Sequence, residues 1–133
     1  MDVVFLIGRI LFAALFVGSA MAHLTQTQAM AGYAESRGIP VARAATLGTG
    51  VLILVGGLMV LLGVWGDLGA LFLVAFLLST AVLMHAFWKE TDDQTKQMEM
   101  VHFNKDVGLA GAALAFFVAF SGNPDLTITD SLF

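Results

Sequence analysis

The sequence predicts an all-α polytopic membrane protein: an antiparallel bundle of four transmembrane helices, with a short interfacial helix between the first two spans. Three observations carry that prediction. Hydrophobic residues make up 59% of the 133 residues and charged ones only 12%, about half the charged share of an average soluble domain. A soluble domain this small coats itself with polar groups, so the apolar surplus must face lipid. The apolar residues also gather in four stretches near the length a helix needs to cross about 30 Å of hydrocarbon, and those stretches are dense in Gly and Ala, which let helices approach closely. A helix satisfies its own backbone polar groups in lipid, and short turns favour antiparallel neighbours. The whole chain, 1–133, reads as one membrane domain.

The first span covers about residues 3–22, apolar except for Arg9 and Ser19, with Ala14, Gly18 and Ala22 at every fourth position. Ala20-Met21-Ala22 resembles a signal-peptidase site. Asp2, the lack of a cation before the apolar run, and Arg9 within it favour a retained span instead. Residues 23–40 are polar and mixed. Thr25 or Thr27 is placed to cap a short helix to about Ser36, with Gly38 ending it and Pro40 beyond. Its face of Met30, Tyr33 and Ala34 would lie along the membrane surface. The second span, 41–65, carries Gly48, Gly50, Gly56, Gly57 and Gly63, which mark close helix contacts. Trp65-Gly66-Asp67 is a tight turn. The third span, 68–88, ends in His85-Ala-Phe-Trp88. Residues 89–100, with Lys89, Glu90, Asp92, Asp93, Lys96 and Glu99, read as a solvated loop. The fourth span covers about 102–121 and repeats the small stripe at Gly111, Ala115 and Ala119. A polar tail, 122–133, follows.

A net charge of −4 with no basic patch excludes nucleic acid as a partner. The absence of cysteine removes disulfides, thiol relays and cysteine-ligated clusters. Four spans place both termini on one side, where the only cation is Arg9. Arg37, Arg43, Lys89, Lys96 and Lys105 fall on the other. Counting cations puts that second side in the cytoplasm and both termini outside.

The same topology brings all three histidines to one membrane level, because alternate helix ends meet there. His23 closes the first span, His85 nearly closes the third, and His102 opens the fourth. His102 and Asp106 are four residues apart on one helical face, with Lys105 beside them. A carboxylate next to an imidazole fixes its tautomer or favours its charged form. His23, His85, Trp88, His102, Lys105 and Asp106 are therefore the candidate polar site, suited to a proton relay, a polar headgroup such as a quinone carbonyl, or, least of the three, a metal. Interfacial anchoring is the alternative reading of the same residues. Their spacing matches no metal motif, and no catalytic residue is assigned. Arg9 lies about two turns inside the first span, where a charge is costly. It either snorkels or pairs with Asp2 or Asp67, or else it faces the bundle interior as a functional group.

The order of these pieces resembles the DoxX family of small bacterial membrane proteins over about residues 5–120. The resemblance runs from Arg9 through Phe16, Tyr33…Gly38-Ile39-Pro40, Gly56-Gly57 and His85-Ala-Phe-Trp88. It ends at Phe103-Asn-Lys105-Asp-Val-Gly-Leu-Ala-Gly111, which looks like that family's F-x-K-N-x-x-x-x-G opening of the last helix. His23 stands where the family has a lysine, Ile53 where it has a glutamate, and Asp106 where it has an asparagine. The resemblance implies four transmembrane helices in the bacterial plasma membrane and a role as membrane subunit of an oxidoreductase complex. Relatives are linked to thiosulfate:quinone oxidation and to oxidative-stress assemblies, so the partners implied are lipid and other subunits or further copies of the chain. A quinone- or lipid-binding redox component is the alternative function.

Overall fold

The computed structural model describes residues 1–133. Helix α1 spans Asp2–Thr25, α2 Thr27–Ser36, α3 Ala42–Leu62, α4 Gly66–Leu83 and α5 Asp93–Ser121, with a single 3-10 turn at Phe87–Lys89 between the last two. Four segments are long and apolar enough to cross a membrane, and α2 lies between the first two. The order is that expected: four spans and one short helix.

The elements start and stop for local reasons. Asp2 in the first turn of α1 complements the helix dipole. The expected threonine cap is not what starts α2. Gln26 occupies the N-cap without a side-chain bond. The Thr25 and Thr27 hydroxyls instead donate to the carbonyls of Met21 and His23, one turn back. Gly38, at φ 81, does end α2. Gly63, at φ 65, ends α3 in the left-handed conformation that glycine adopts without strain, and its N–H returns to Met59 O.

The largest departure is at α5. Residues 93–100, expected in a solvated loop, are helical, and the helix begins at Asp93, not at His102. Asp92 caps it, accepting from the Thr95 N–H at 2.8 Å. The following run of Gln, Lys, Met and Glu propagates a helix well without any apolar stripe. At 29 residues, α5 is about 44 Å long, so its first turns project beyond a hydrocarbon core of about 30 Å. The third span, Gly66–Lys89, reaches as far as expected, but its α-helix ends sooner. Helix α4 unwinds after Leu83, where the N–H groups of Met84 and His85 both turn to Thr80 O. His85 is drawn out of the helix line to Glu99, and Phe87 and Trp88 pack on Phe103.

Helix α3 packs between α1 and α4, and α4 packs on α5. The core is formed by Phe16, Ala20, Ile53, Val60, Ala70, Leu73, Leu77, Ala110, Ala113 and Phe120. The α3–α4 crossing is set by Gly56 and Gly69. A Cβ on Gly69 would sit 2.6 Å from Met59 Cβ and 3.0 Å from Gly56 O. Gly48, expected at a contact, faces open space, as do Gly18 and Gly111. The small stripes of α1 and α5 therefore point out of the bundle, with Ala14, Ala115 and Ala119 exposed. Helix α1 meets α5 through phenylalanine rings: Phe5 with Phe120 at 5.2 Å and Phe12 with Phe116 at 4.8 Å.

The tail is folded back over this end of the bundle. Ile128 and Thr129 donate their N–H groups to Gly63 O, and Leu132 and Phe133 donate theirs to Asp67 Oδ2.

Candidate functional site

Polar groups collect at both ends of the bundle, for different reasons. At the end that holds the tail, Arg9 is buried, with 1% of its surface exposed. Its Nε donates to Val60 O at 2.9 Å, one terminal nitrogen to Leu61 O at 2.6 Å and the other to Leu126 O at 2.7 Å. The rings of Phe5 and Phe120 flank it, each centroid 5.6 Å away. Arg9 neither snorkels nor pairs with Asp2 or Asp67. Its charge is met by carbonyl dipoles at the negative end of α3 and by two aromatic faces. Asp67 is fully buried beside the same turn; one carboxylate oxygen holds the tail and the other has no partner.

At the opposite end the bundle opens. A cavity of about 510 Å³ lies between α1, α3, α4 and α5, roofed by Met30, Tyr33 and Ala34 of α2. The apolar face of α2 thus packs over the cavity. The cavity walls are largely apolar, including Leu15, Phe16, Leu52, Phe76, Leu77 and Leu109, and its polar groups are concentrated toward the roof.

Of the six expected site residues, His23, His85, Lys105 and Asp106 line this cavity; Trp88 and His102 do not. His102 stacks on the His85 ring with centroids 5.0 Å apart, and faces a separate shallow groove beside Gln94 and Gln97. Trp88 is half exposed and packs edge-on against Phe87 and Phe103. Both belong to the shell around the site. Trp88 is outside because the helix break after Leu83 turns the Phe87–Lys89 segment away from the cavity, and His102 because it lies one turn before Asp106, nearer the start of α5.

His85 is positioned by residues the sequence reading placed elsewhere. Its Nδ1 lies 2.7 Å from Glu99 Oε2. Glu99 is buried, and its other oxygen accepts the Tyr33 hydroxyl at 2.9 Å and an Arg37 nitrogen. Arg37 also binds Glu90. Burial opposes the charge on Arg37, but its bonds to Glu90 and Tyr33 and the nearby Glu99 carboxylate outweigh that and hold its pKa above the ordinary value. Burial lifts the Tyr33 phenol above its usual range; the bond from Arg37 opposes the rise and Glu99 adds to it. Glu99 and Asp106 are seven residues apart, two helical turns on one face. Recognising Asp92 as a cap would have placed them together.

The remaining groups are simpler. His23 Nδ1 is 3.1 Å from both Thr46 O and Thr49 Oγ1. Asp106 is buried and accepts no hydrogen bond; the nearest cationic atoms are Lys105 Nζ at 3.5 Å and His85 Nε2 at 3.7 Å. No three His, Asp or Glu side chains are disposed around a metal position.

Four long apolar spans and, between them, an apolar cavity that carries imidazole, carboxylate and ammonium groups define a small multi-pass membrane protein. The family model described as DoxX matches residues 4–86, more than half of the chain, and the chain belongs to the DoxX family. His23, Tyr33 and His85 fall within the matched stretch; Glu99, Lys105 and Asp106 lie beyond it, as does the 103–111 segment. No curated protein and no solved structure matches the chain.

Proposed function

We propose that this protein is a small membrane subunit that holds a quinone-type amphiphile within an oxidoreductase complex. The observation that carries the reading is the cavity: apolar over most of its wall, polar at one end, and of a size that fits small-molecule sites. The residues present suit such a ligand. A headgroup at the polar end would meet His23, His85, Lys105 and Asp106, while its apolar tail would lie against Leu15, Leu52 and Leu109. A bound quinone would supply two-electron redox capacity there. The chain's own residues bind and orient the headgroup, exclude water with the α2 roof, and offer hydrogen-bond acceptors at His85 and Asp106.

Purification in mild detergent, followed by solvent extraction and mass spectrometry, tests this. Isoprenoid quinone should be retained in about equimolar amount by the natural chain, and lost from Ala75→Phe, which fills the chamber. Equal retention by both would refute the reading.

A second reading, anchoring of other subunits, is favoured by the outward-facing small residues of α1 and α5. Native mass spectrometry of the detergent extract should then show partner chains or further copies, and a lone chain would count against it. The site would lie toward the cytoplasmic face of the bacterial plasma membrane, with both termini outside. Reporter fusions at residues 38 and 133 should report opposite compartments, the first cytoplasmic.

A further inference from the structure

We infer that the cavity is built to hold the hydroxyl-bearing, reduced form of its ligand in preference to the carbonyl form. This rests on the pocket reading above and deepens it. The argument comes from hydrogen positions that the surrounding protein dictates. His23 Nδ1 faces Thr46 O at 3.1 Å. A carbonyl only accepts, so Nδ1 carries the hydrogen. The second neighbour, Thr49 Oγ1, has its own proton directed to Ala45 O at 2.7 Å, and so it too accepts from Nδ1. In the neutral ring Nε2 is then a bare lone pair, and no protein donor reaches it.

His85 repeats the arrangement with a carboxylate. Glu99 binds Arg37 and the Tyr33 hydroxyl through Oε1 and faces His85 Nδ1 through Oε2 at 2.7 Å. Nδ1 is again the protonated nitrogen, and in the neutral ring Nε2 is again bare. It lies 3.7 Å from Asp106 Oδ2, too far for a hydrogen bond. Asp106 is buried yet accepts no hydrogen bond from any group of the chain. Its nearest cation, Lys105 Nζ at 3.5 Å, is at ion-pair distance but makes no hydrogen bond to it, so the carboxylate keeps capacity for a donor.

Three acceptors therefore line the cavity: two imidazole nitrogens and one carboxylate. Against them stands Lys105, a donor on a flexible, half-exposed side chain; the hydroxyls of Ser19, Ser79 and Thr80 also line the cavity, but each can donate or accept and so serves either form of the ligand. A quinone headgroup brings only acceptors and leaves the two imidazole nitrogens and the carboxylate without a donor. A quinol brings two O–H donors and supplies what Asp106 and the two histidines lack. Glu99 is the positioning residue, because it fixes which nitrogen of His85 is bare.

The test uses the full chain in lipid nanodiscs. Dissociation constants are measured for a short-chain benzoquinone with an alkyl tail and, anaerobically, for its quinol. The quinol should bind at least about tenfold more tightly, since one hydrogen bond to a charged acceptor is worth about that factor. Tenfold corresponds to about a 30 mV rise in the midpoint potential of the bound two-electron couple. Asp106→Asn should shrink the preference by weakening the quinol alone. Glu99→Gln, whose amide can donate to Nδ1, should tighten the quinone. Should these buried variants fail to fold, Lys105→Met remains: it sits at a half-exposed position and should weaken only the quinone. Equal affinities, or tighter quinone, would overturn the inference while leaving the pocket reading in place. Binding of neither form would overturn both.

Discussion

Replacing Arg9 by Met should destabilise the bundle by about 3 kcal/mol and release the tail. The magnitude comes from what Arg9 holds. The N–H groups that follow α3 do not return to its last carbonyls: Val64 donates to Met59 O and Trp65 to the Thr129 hydroxyl. Val60 O and Leu61 O therefore depend on the guanidinium. Each carbonyl orphaned in a buried setting costs about 1–3 kcal/mol, so the pair gives about 2–6 kcal/mol. Relief from carrying a buried cation offsets part of this. Leu126 O lies near the surface and can turn to water, so it adds little. Titration with sodium dodecyl sulfate in mixed micelles, followed by far-ultraviolet circular dichroism, measures the loss. Proteolysis of residues 123–133 reports the tail. Arg9→Lys, with one compact head in place of a fork, should fall between the two. An unfolding curve unchanged in Arg9→Met, with the tail still protected, would refute the claim that this arginine is a structural cap.

Gly69→Leu should cost more than Gly18→Leu. The first forces a Cβ to within 2.6 Å of Met59 Cβ and 3.0 Å of Gly56 O, an overpacking penalty of about 1–3 kcal/mol; the second points into open space, and the same unfolding titration compares them. Tyr33 is the chain's single tyrosine, so absorbance at 295 nm titrates it alone, and its midpoint should lie above the ordinary phenol value. A raised midpoint means that the stability it contributes is complete below the unfolded phenol's pKa and is lost as pH rises through the folded one; a midpoint at or below the ordinary value would contradict the burial and the Glu99 contact. Asp92→Ala should lower hydrogen-exchange protection at Asp93–Lys96 without disturbing residues 103–120. Because the Thr95 N–H and hydroxyl depress the Asp92 pKa, the natural chain should hold that protection above the usual carboxylate range and lose it only as pH falls through the lowered value.

What was legible in the sequence was whatever lipid dictates. Apolar runs of bilayer length gave the four spans, and antiparallel order put His23 and His85 at one level with Lys105 and Asp106. What was not legible depended on contacts that leave no periodic trace. The charged run of 89–100 reads as a loop because a helix that projects into water carries no apolar stripe; its signal was the Asp92–Thr95 cap. That misreading hid Glu99 and placed His102 in the site. Arg9 was recognised as unusual, but its partners are backbone carbonyls, which have no sequence signature. The tail's docking depends on Asn123 and Leu126 in left-handed conformations, which composition does not announce.

The two ends of the bundle are linked by the seam between α1 and α5. At the tail end that seam is filled by Phe5, Phe12, Phe116 and Phe120, whose rings lie 4.8–6.4 Å from their neighbours. One helix diameter further on, the side chains facing the same space are Ser19 and His23 on α1 and Lys105, Asp106 and Leu109 on α5. Bulky rings hold the two helices apart, and the smaller or polar residues beyond cannot fill the gap that this spacing creates. Ala75 and Ser79 on α4 add no bulk of their own. The cavity is thus a consequence of a size gradient along one seam, fixed in place by the Arg9 cap at the filled end. A chain that needed only to anchor partners would gain stability by filling this space with leucine, at about 1.5–3 kcal/mol for each side chain fully buried. Leaving it open, and placing His23, His85, Lys105 and Asp106 at its polar end, is the arrangement expected of a site that something else completes.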